Sequence, residues 1–378
     1  MPSFPELPKT HRAVVLDSTQ TPPSVREIPT PHPGPGSCVV RILAARVASY
    51  AKSVYDGTRQ YNFPTPLVIG SSAIGRIAAV GPDATSLKPG QLVFVDANIR
   101  GRDDPSAAIL SGLTEGFSEG SRILMRHEWR DSTYAEYAKM PLESCYPLNE
   151  ELLLGQATGG GLGYTIQDLA VLSRLLVPFG GLRDIDLKPG ETLVVTPATG
   201  DFGQAAIKVA LAMGARVIAM GRNIDALRQL SARENLVNVV QITGNAAVDS
   251  MALKSIASID AFIDISPPAA AQSTHIKSCI LALKRCGRGC LMGGIQDDMQ
   301  IPHGAIMTNN LTLKGKFMYE RDDVRLLIKM VEHGVLKLGA AGGYKPGGKF
   351  GLHEWKMAFD AAAHNLGTPA VTVIDPTI

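Results

Sequence analysis

The stretch Leu193-Val194-Val195-Thr196-Pro197-Ala198-Thr199-Gly200-Asp201-Phe202-Gly203 reads as a buried strand that passes through a tight glycine-containing turn into a helix. Helical spacing follows from Gln204 to Met213, where Ala205, Ala206, Val209, Ala210 and Met213 are apolar and Gly214 is the stop signal. Arg216 to Met220 then predicts a second strand. Strand, turn, helix and strand within about 30 residues is the setting in which a glycine motif cradles a pyrophosphate. Ala198, Gly200 and Gly203 occupy the three small-residue positions of the G-x-G-x-x-G pattern, with alanine in the first, and Thr199, Asp201 and Phe202 fill the places between. Gly200 lets the backbone approach the phosphates and Gly203 lets helix and strand pack closely. The helix N-terminus adds amide donors and partial positive charge.

The end of the second strand decides which dinucleotide is expected. A carboxylate there would accept hydrogen bonds from the adenosine ribose hydroxyls of NAD. This chain has Gly221-Arg222-Asn223 instead. Gly221 removes the charge that would repel a ribose phosphate, and the Arg222 guanidinium suits a phosphate in shape and charge, so NADPH is favoured over NADH. The alternative for Arg222 is a solvated turn residue.

Composition agrees with a two-domain enzyme. The chain has 378 residues, 45% of them hydrophobic, which is enough for more than one core. Its 37 basic and 35 acidic residues give a net charge of +2 and are spread along the whole length, so no basic stripe points to nucleic acid. Met1 to Thr10 lacks the apolar run of a leader, and no apolar run reaches a membrane span; a cytoplasmic protein is expected, with no membrane partner. Cys38, Cys145, Cys279, Cys286 and Cys290 have neither metal-ligand spacing nor the look of a disulfide framework, and reduced, packed thiols are expected.

Before the glycine motif, strand-like runs at Ala13 to Leu16, Cys38 to Ala44, Ala73 to Val80 and Gln91 to Val95 are divided by Pro and Gly turns. From about Leu152 helices alternate with strands; Val239 to Ile242, Ala261 to Ile265 and Cys290 to Gly293 are further candidate parallel strands, with a helix at Ala269 to Leu283. The pattern predicts an α/β fold with a doubly wound parallel sheet. Leu311 to Phe317, a helix over about Asp322 to His333, a glycine-rich loop from Gly339 to Gly351 and a strand near Val371 to Ile374 read as a return to the first domain. Ser266 and the glycines Gly293 and Gly294 follow two of the strands at the end where an open sheet binds its ligand, so their backbone is a candidate for holding a nicotinamide.

The chain resembles the medium-chain dehydrogenase/reductase superfamily. The resemblance rests on Arg12-Ala13-Val14-Val15-Leu16, the run from Val68 to Gly81, Lys88-Pro89-Gly90-Gln91-Leu92-Val93, Tyr134-Ala135-Glu136-Tyr137 and the glycine motif, in that order. It implies a β-rich GroES-like substrate domain over 1–154, a Rossmann NADPH-binding domain over 155–310 and a return to the first domain over 311–378, with a homodimer by analogy. Zinc-dependent members carry Cys near Ala48 and His-Glu where this chain has Ser71-Ser72, and the stretch from Asp96 to Trp129 contains no cysteine. Ala and Ser are not zinc ligands, so a metal is not expected and the zinc-independent quinone and enoyl reductase branch is the nearer likeness.

In the family the loop Val47-Ala48-Ser49-Tyr50-Ala51-Lys52-Ser53 faces the nicotinamide. Tyr50 is the first candidate for donating a proton to a developing oxyanion and Lys52 the second, a solvated lysine being the alternative for the latter. Ser71, Ser72, Tyr55, Tyr61 and Trp129 are candidates for lining a small-molecule pocket. Without a Lewis acid, hydride transfer to an enone or quinone is easier than to a simple ketone, because the arriving charge spreads into an enolate or hydroquinone anion. The expected activity is therefore NADPH-dependent reduction of a conjugated carbonyl. The alternatives are an NADP-dependent alcohol dehydrogenase or ketone reductase, and an NADPH-binding protein with a non-redox or specialised biosynthetic role, for which the segment from Asn98 to Arg122 could form a flexible flap.

Overall fold

The computed structural model describes residues 6–236 and 238–378; residues 1–5, which belong to the stretch read above for a leader, lie outside the described residues. Strand Thr192–Thr196 is buried along its whole length and sits inside a parallel sheet. Arg216–Gly221 pairs with it on one side, with Val194 opposite Ile218, and Ile259–Asp264 on the other, with Val194 opposite Phe262. Asn238–Gln241 extends the sheet beyond the first neighbour, and Leu283–Leu291 and Thr312–Gly315 extend it beyond the second. Counted from Thr192–Thr196, the strand order is 3-2-1-4-5-6, the doubly wound dinucleotide-binding order. Its three central strands, Thr192–Thr196, Arg216–Gly221 and Ile259–Asp264, are buried on both faces, as a parallel sheet covered by helices requires, while the outer strands Asn238–Gln241 and Thr312–Gly315 are largely exposed. Val194, Ile218, Met220 and Phe262 pack with Leu253, Ile276, Cys279 and Ile280 in one core.

The chain divides into two compact units, one of Arg174–Leu336 with Gly367–Pro369, the other of the described residues up to Ser173 with Lys337–Leu366 and Ala370–Ile378. The sequence-based return at 311 differs from this division. Thr312–Gly315 pairs in parallel with Leu283–Leu291, Leu313 opposite Gly289, and the helix Arg321–Glu332 belongs to the same unit. An apolar alternation identifies a strand but not the partner that will take it. Three other expectations shift for local reasons. The helix after the glycine turn runs from Asp201 to Ala212, a turn earlier than its apolar spacing, because extended Gly200 serves as its N-cap. Ala269 to Leu283 breaks into a short turn at Pro268–Ala270 and a helix at His275–Ala282. The strand placed at Cys290 to Gly293 covers Leu283–Leu291.

The other unit is β-rich and mostly antiparallel, the pair Lys345–Phe350 and Ala370–Ile374 being parallel. Cys145–Pro147, Leu92–Val95, Ala73–Val80, Ser37–Arg46, Ala370–Ile374 and Lys345–Phe350 form one sheet in that order, and Tyr137–Pro141 also pairs with Ser37–Arg46. Lys345–Phe350 lies in the segment read as a glycine-rich loop; it pairs with Ala370–Ile374. Asn98 to Arg122 is no flap. Asn98–Arg100 and Ala108–Leu110 pair as a hairpin with Ile99 and Ile109 in the core, and Ser118 caps the helix Glu119–His127. All five cysteines are free thiols; the contact with the Cys38 thiol, together with burial, pushes the thiol of Cys145 well above its ordinary range, and burial does the same to that of Cys279. Among the described residues no helix is long and apolar enough to cross a membrane.

Candidate functional site

The sheet order reverses between Thr192–Thr196 and Ile259–Asp264, and the loops beyond their C-terminal ends are where an open sheet of this kind binds its ligand. On the first strand the chain leaves Thr196, and the Ala198 amide is tied to the Met220 carbonyl at 2.8 Å. A Cβ at Gly203 would run into the Pro197 carbonyl and lie 2.7 Å from that of Ala198, so the helix rests on the turn with no room for a side chain. Gly200 differs, since a Cβ there would meet nothing within 4 Å. Gly200 offers no side-chain cap to this helix, whose first closing bond runs from the Gln204 amide to the Gly200 carbonyl at 2.9 Å. Such a cradle fits the pyrophosphate of a dinucleotide.

The Asp201 carboxylate, in the same turn, is bound by the Gly367 amide at 2.9 Å. Buried Gln204 donates to the carbonyls of Thr199, at 3.0 Å, and Gly367, and it accepts from Arg233 at 2.8 Å. Gly367 thus braces the glycine turn, a role that sequence reading missed because it lies far along the chain.

At the end of Arg216–Gly221, a side chain at 221 would meet only Leu227, at an ordinary 3.5 Å, so packing does not demand glycine there. Arg222 is exposed; Gln241 binds its carbonyl at 3.1 Å. The Asn223 side-chain oxygen accepts from the amides of Asp225 and Ala226 at 3.0 Å, which makes it the N-cap of helix Ile224–Arg233.

On the strand across the reversal, Asp264, Ser266 and His275 form a buried network. Ser266 Oγ lies 2.7 Å from His275 Nε2 and hydrogen-bonds Asp264; His275 Nε2 is 3.0 Å from Asp264 Oδ1 and Nδ1 is 2.8 Å from Ser273 Oγ. The Ser266 carbonyl accepts from the Gly294 amide at 2.7 Å. Neither the Ser266 hydroxyl nor the Gly294 amide is therefore open to a nicotinamide, and both hold the turn. A Cβ at Gly293 would strike the Asp264 carboxylate and come 2.9 Å from the Ser266 amide. His275 carried no signal in the sequence, since a histidine at a helix start after a loop has no distinctive spacing.

In the antiparallel unit, Tyr50 precedes the helix Ala51–Tyr55 and is half-buried. Its ring meets that of Tyr61 edge to face at 6.5 Å. Lys52 is exposed and pairs with Asp360 at 2.7 Å, a bond that raises its pKa; it acts as a surface ion pair and not as a proton donor. Tyr55 is a core residue: its phenol donates to the carbonyls of Gly70 and Gly112 at 3.1 and 3.0 Å, and burial pushes its pKa well up. Trp129 also belongs to the core. The Ser71 hydroxyl donates to the Arg46 carbonyl at 2.7 Å, and that of buried Ser72 accepts from the Ala97 amide at 3.1 Å. With Ala48 and these two occupied hydroxyls at the places of zinc ligands, and no group of three or more His, Cys, Asp or Glu able to hold a metal among the described residues, the residues present do not fit a bound zinc.

Two family models match the chain, the alcohol dehydrogenase GroES-like domain over residues 34–150 and the zinc-binding dehydrogenase over 202–333. The probable D-xylulose reductase A of Aspergillus clavatus is 28% identical over 275 residues, 71% of each chain. Among solved structures, a cobalt- and zinc-bound thermostable alcohol dehydrogenase from Pyrobaculum aerophilum superposes with a TM-score of 0.72 at 18% identity over 97% of this chain and 100% of its own. A short chain alcohol dehydrogenase from E. coli CFT073, complexed with NADH, does so with a TM-score of 0.76 at 15% identity, over 97% and 100%. With a GroES-like part, a doubly wound parallel sheet and matches to both family models, the chain belongs to the medium-chain dehydrogenase/reductase superfamily of oxidoreductases.

Proposed function

We propose that this oxidoreductase transfers hydride from NADPH to a conjugated carbonyl, an enone or a quinone, without a metal. The observation that carries the reading is the state of the zinc-ligand positions, where Ala48 offers no ligand and the hydroxyls of Ser71 and Ser72 are bonded to backbone. A simple ketone would then develop a localised alkoxide with no Lewis acid beside it, whereas an enone spreads the charge into an enolate that one phenolic donor supports. Tyr50 is that donor in this reading, and Lys52, bound to Asp360, is not a candidate. Gly221, which packing does not require, and exposed Arg222 support NADPH over NADH.

A second reading, an NADP-dependent alcohol dehydrogenase or ketone reductase, is favoured by the name of the A. clavatus relative, a xylulose reductase. NADPH oxidation, followed at the nicotinamide absorbance band with chelator present, separates the two. Turnover is expected with enones and quinones, slower with NADH, and about a hundredfold lower in Tyr50→Phe, within the range of general acid catalysis. Turnover confined to simple ketones and aldehydes would install the second reading.

A further inference from the structure

The loop after helix Ala51–Tyr55 holds a guanidinium that the hydride-transfer reading does not use. Arg59 Cζ lies 4.3 Å from the centroid of the Tyr50 ring and 5.2 Å from that of Tyr61. Backbone bonds fix the three residues: the Arg59 amide donates to the Ser53 carbonyl at 2.6 Å, the Tyr61 amide to the Arg59 carbonyl at 2.7 Å, and Ser53 Oγ to the Tyr50 carbonyl at 2.8 Å. Arg59 Nε is buried and has no hydrogen-bond partner, and no carboxylate among the described residues lies within ion-pair distance of the group. Other cations here are neutralised. Lys52 is bound to Asp360, and Glu115, whose amide bonds the Asn62 carbonyl, is bound to Arg126 at 2.8 Å.

An arginine stays charged at any working pH, and hiding part of its fork from water costs stability unless an acceptor replaces the water. Two aromatic faces recover part of that cost, typically about 0.5–2 kcal/mol for a cation over a ring. They also confine the fork between two inclined rings, and its own planar donor geometry favours a planar, two-oxygen anion over a neutral group. The same ring that stacks on Arg59 belongs to the proposed proton donor.

We propose that Arg59 selects the substrate, a conjugated carbonyl compound that also bears a carboxylate, with the carboxylate on the Arg59 fork and the reducible carbonyl at the Tyr50 phenol. The assignment of the carbonyl rests on the reductase reading above. In the reaction, hydride leaves NADPH for the alkene carbon β to the ketone, and the π electrons move to the ketone oxygen. That oxygen takes the Tyr50 proton, which solvent replaces, and the enol relaxes to a saturated keto acid as NADP+ forms.

The probes are 4-oxo-2-pentenoate and its methyl ester, titrated calorimetrically into the full chain with NADP+ present, where no reduction occurs. Wild type should bind the acid about ten- to a hundredfold more tightly than the ester, the size of a hydrogen bond to a charged group. Arg59→Gln should abolish the preference and leave ester affinity unchanged, which also shows that the variant is folded, and Arg59→Lys should restore part of it. With NADPH the loss should fall more on KM for the acid than on kcat. Equal affinity for acid and ester, a preference that survives Arg59→Gln, or no measurable binding of the acid would each overturn the proposal. An acid preference that disappears in Arg59→Gln, together with no NADPH oxidation by any conjugated acceptor, would support the anion selector and overturn the reductase reading alone.

Discussion

At the end of strand Thr192–Thr196 the residues that matter are defined by what their backbone does, whereas around helix Ala51–Tyr55 they are defined by which side chains already have partners. In the first region polar side chains serve the frame: Gln204 and Asp201 hold Gly367, and Asn223 caps a helix. In the proposed cofactor site, ligand binding would fall to amides and glycines. In the second, Ser71, Ser72, Tyr55 and Lys52 are all engaged with the protein, while Arg59 has two aromatic rings and no counter-ion among the described residues. If both proposals hold, the contrast teaches that a dinucleotide cradle is specified by chain geometry and a substrate selector by the residual chemistry of a few side chains.

Gly203→Val is the strongest way to break the backbone half of this comparison. Any Cβ at 203 meets the Pro197 carbonyl and lies 2.7 Å from the Ala198 carbonyl, and both are backbone atoms that a side-chain rotation cannot clear. The helix Asp201–Ala212 must move off the turn. Denaturant unfolding should show a loss of about 3 kcal/mol, at the upper end for overpacking, and NADPH titration should show little binding. An unchanged midpoint and affinity would mean that the contact does not fix the turn.

Arg222→Ala tests the one place in the parallel-sheet region where a side chain is asked to bind ligand. NADPH affinity should fall by about 1.5–3 kcal/mol and NADH affinity hardly at all, because only the former carries the ribose phosphate. Equal losses for both cofactors would return Arg222 to the surface.

The same contrast explains what could be read from the chain alone. The strands Thr192–Thr196 and Arg216–Gly221 and the small residues at 198, 200 and 203 were legible because apolar runs and glycines report backbone requirements locally. The place of Thr312–Gly315 was not, since its partner is chosen by tertiary packing. Tyr55 and Trp129 looked like pocket walls because an aromatic residue reads alike in a core and in a cleft, and only the bonds from the Tyr55 phenol to Gly70 and Gly112 settle it. The Asp264, Ser266 and His275 network, and the stack on Arg59, join residues whose spacing matches no motif.

Gly200→Ala gives the smallest expected change and the sharpest separation of frame from ligand. Gly200 has φ −76° and ψ 170°, a conformation open to alanine, and a Cβ there meets no atom within 4 Å. The folded chain therefore has no need of glycine at this position, and relieving the unfolded chain of a glycine favours stability slightly. Thermal unfolding without cofactor should be unchanged or a little higher. If the pyrophosphate approaches the first turn of the helix, the same methyl group stands in its way, and NADPH and NADH should both weaken about tenfold, or about 1.4 kcal/mol. The two cofactors share the pyrophosphate, so a loss confined to one of them would place the contact elsewhere, and no loss for either would remove this turn from the cofactor site.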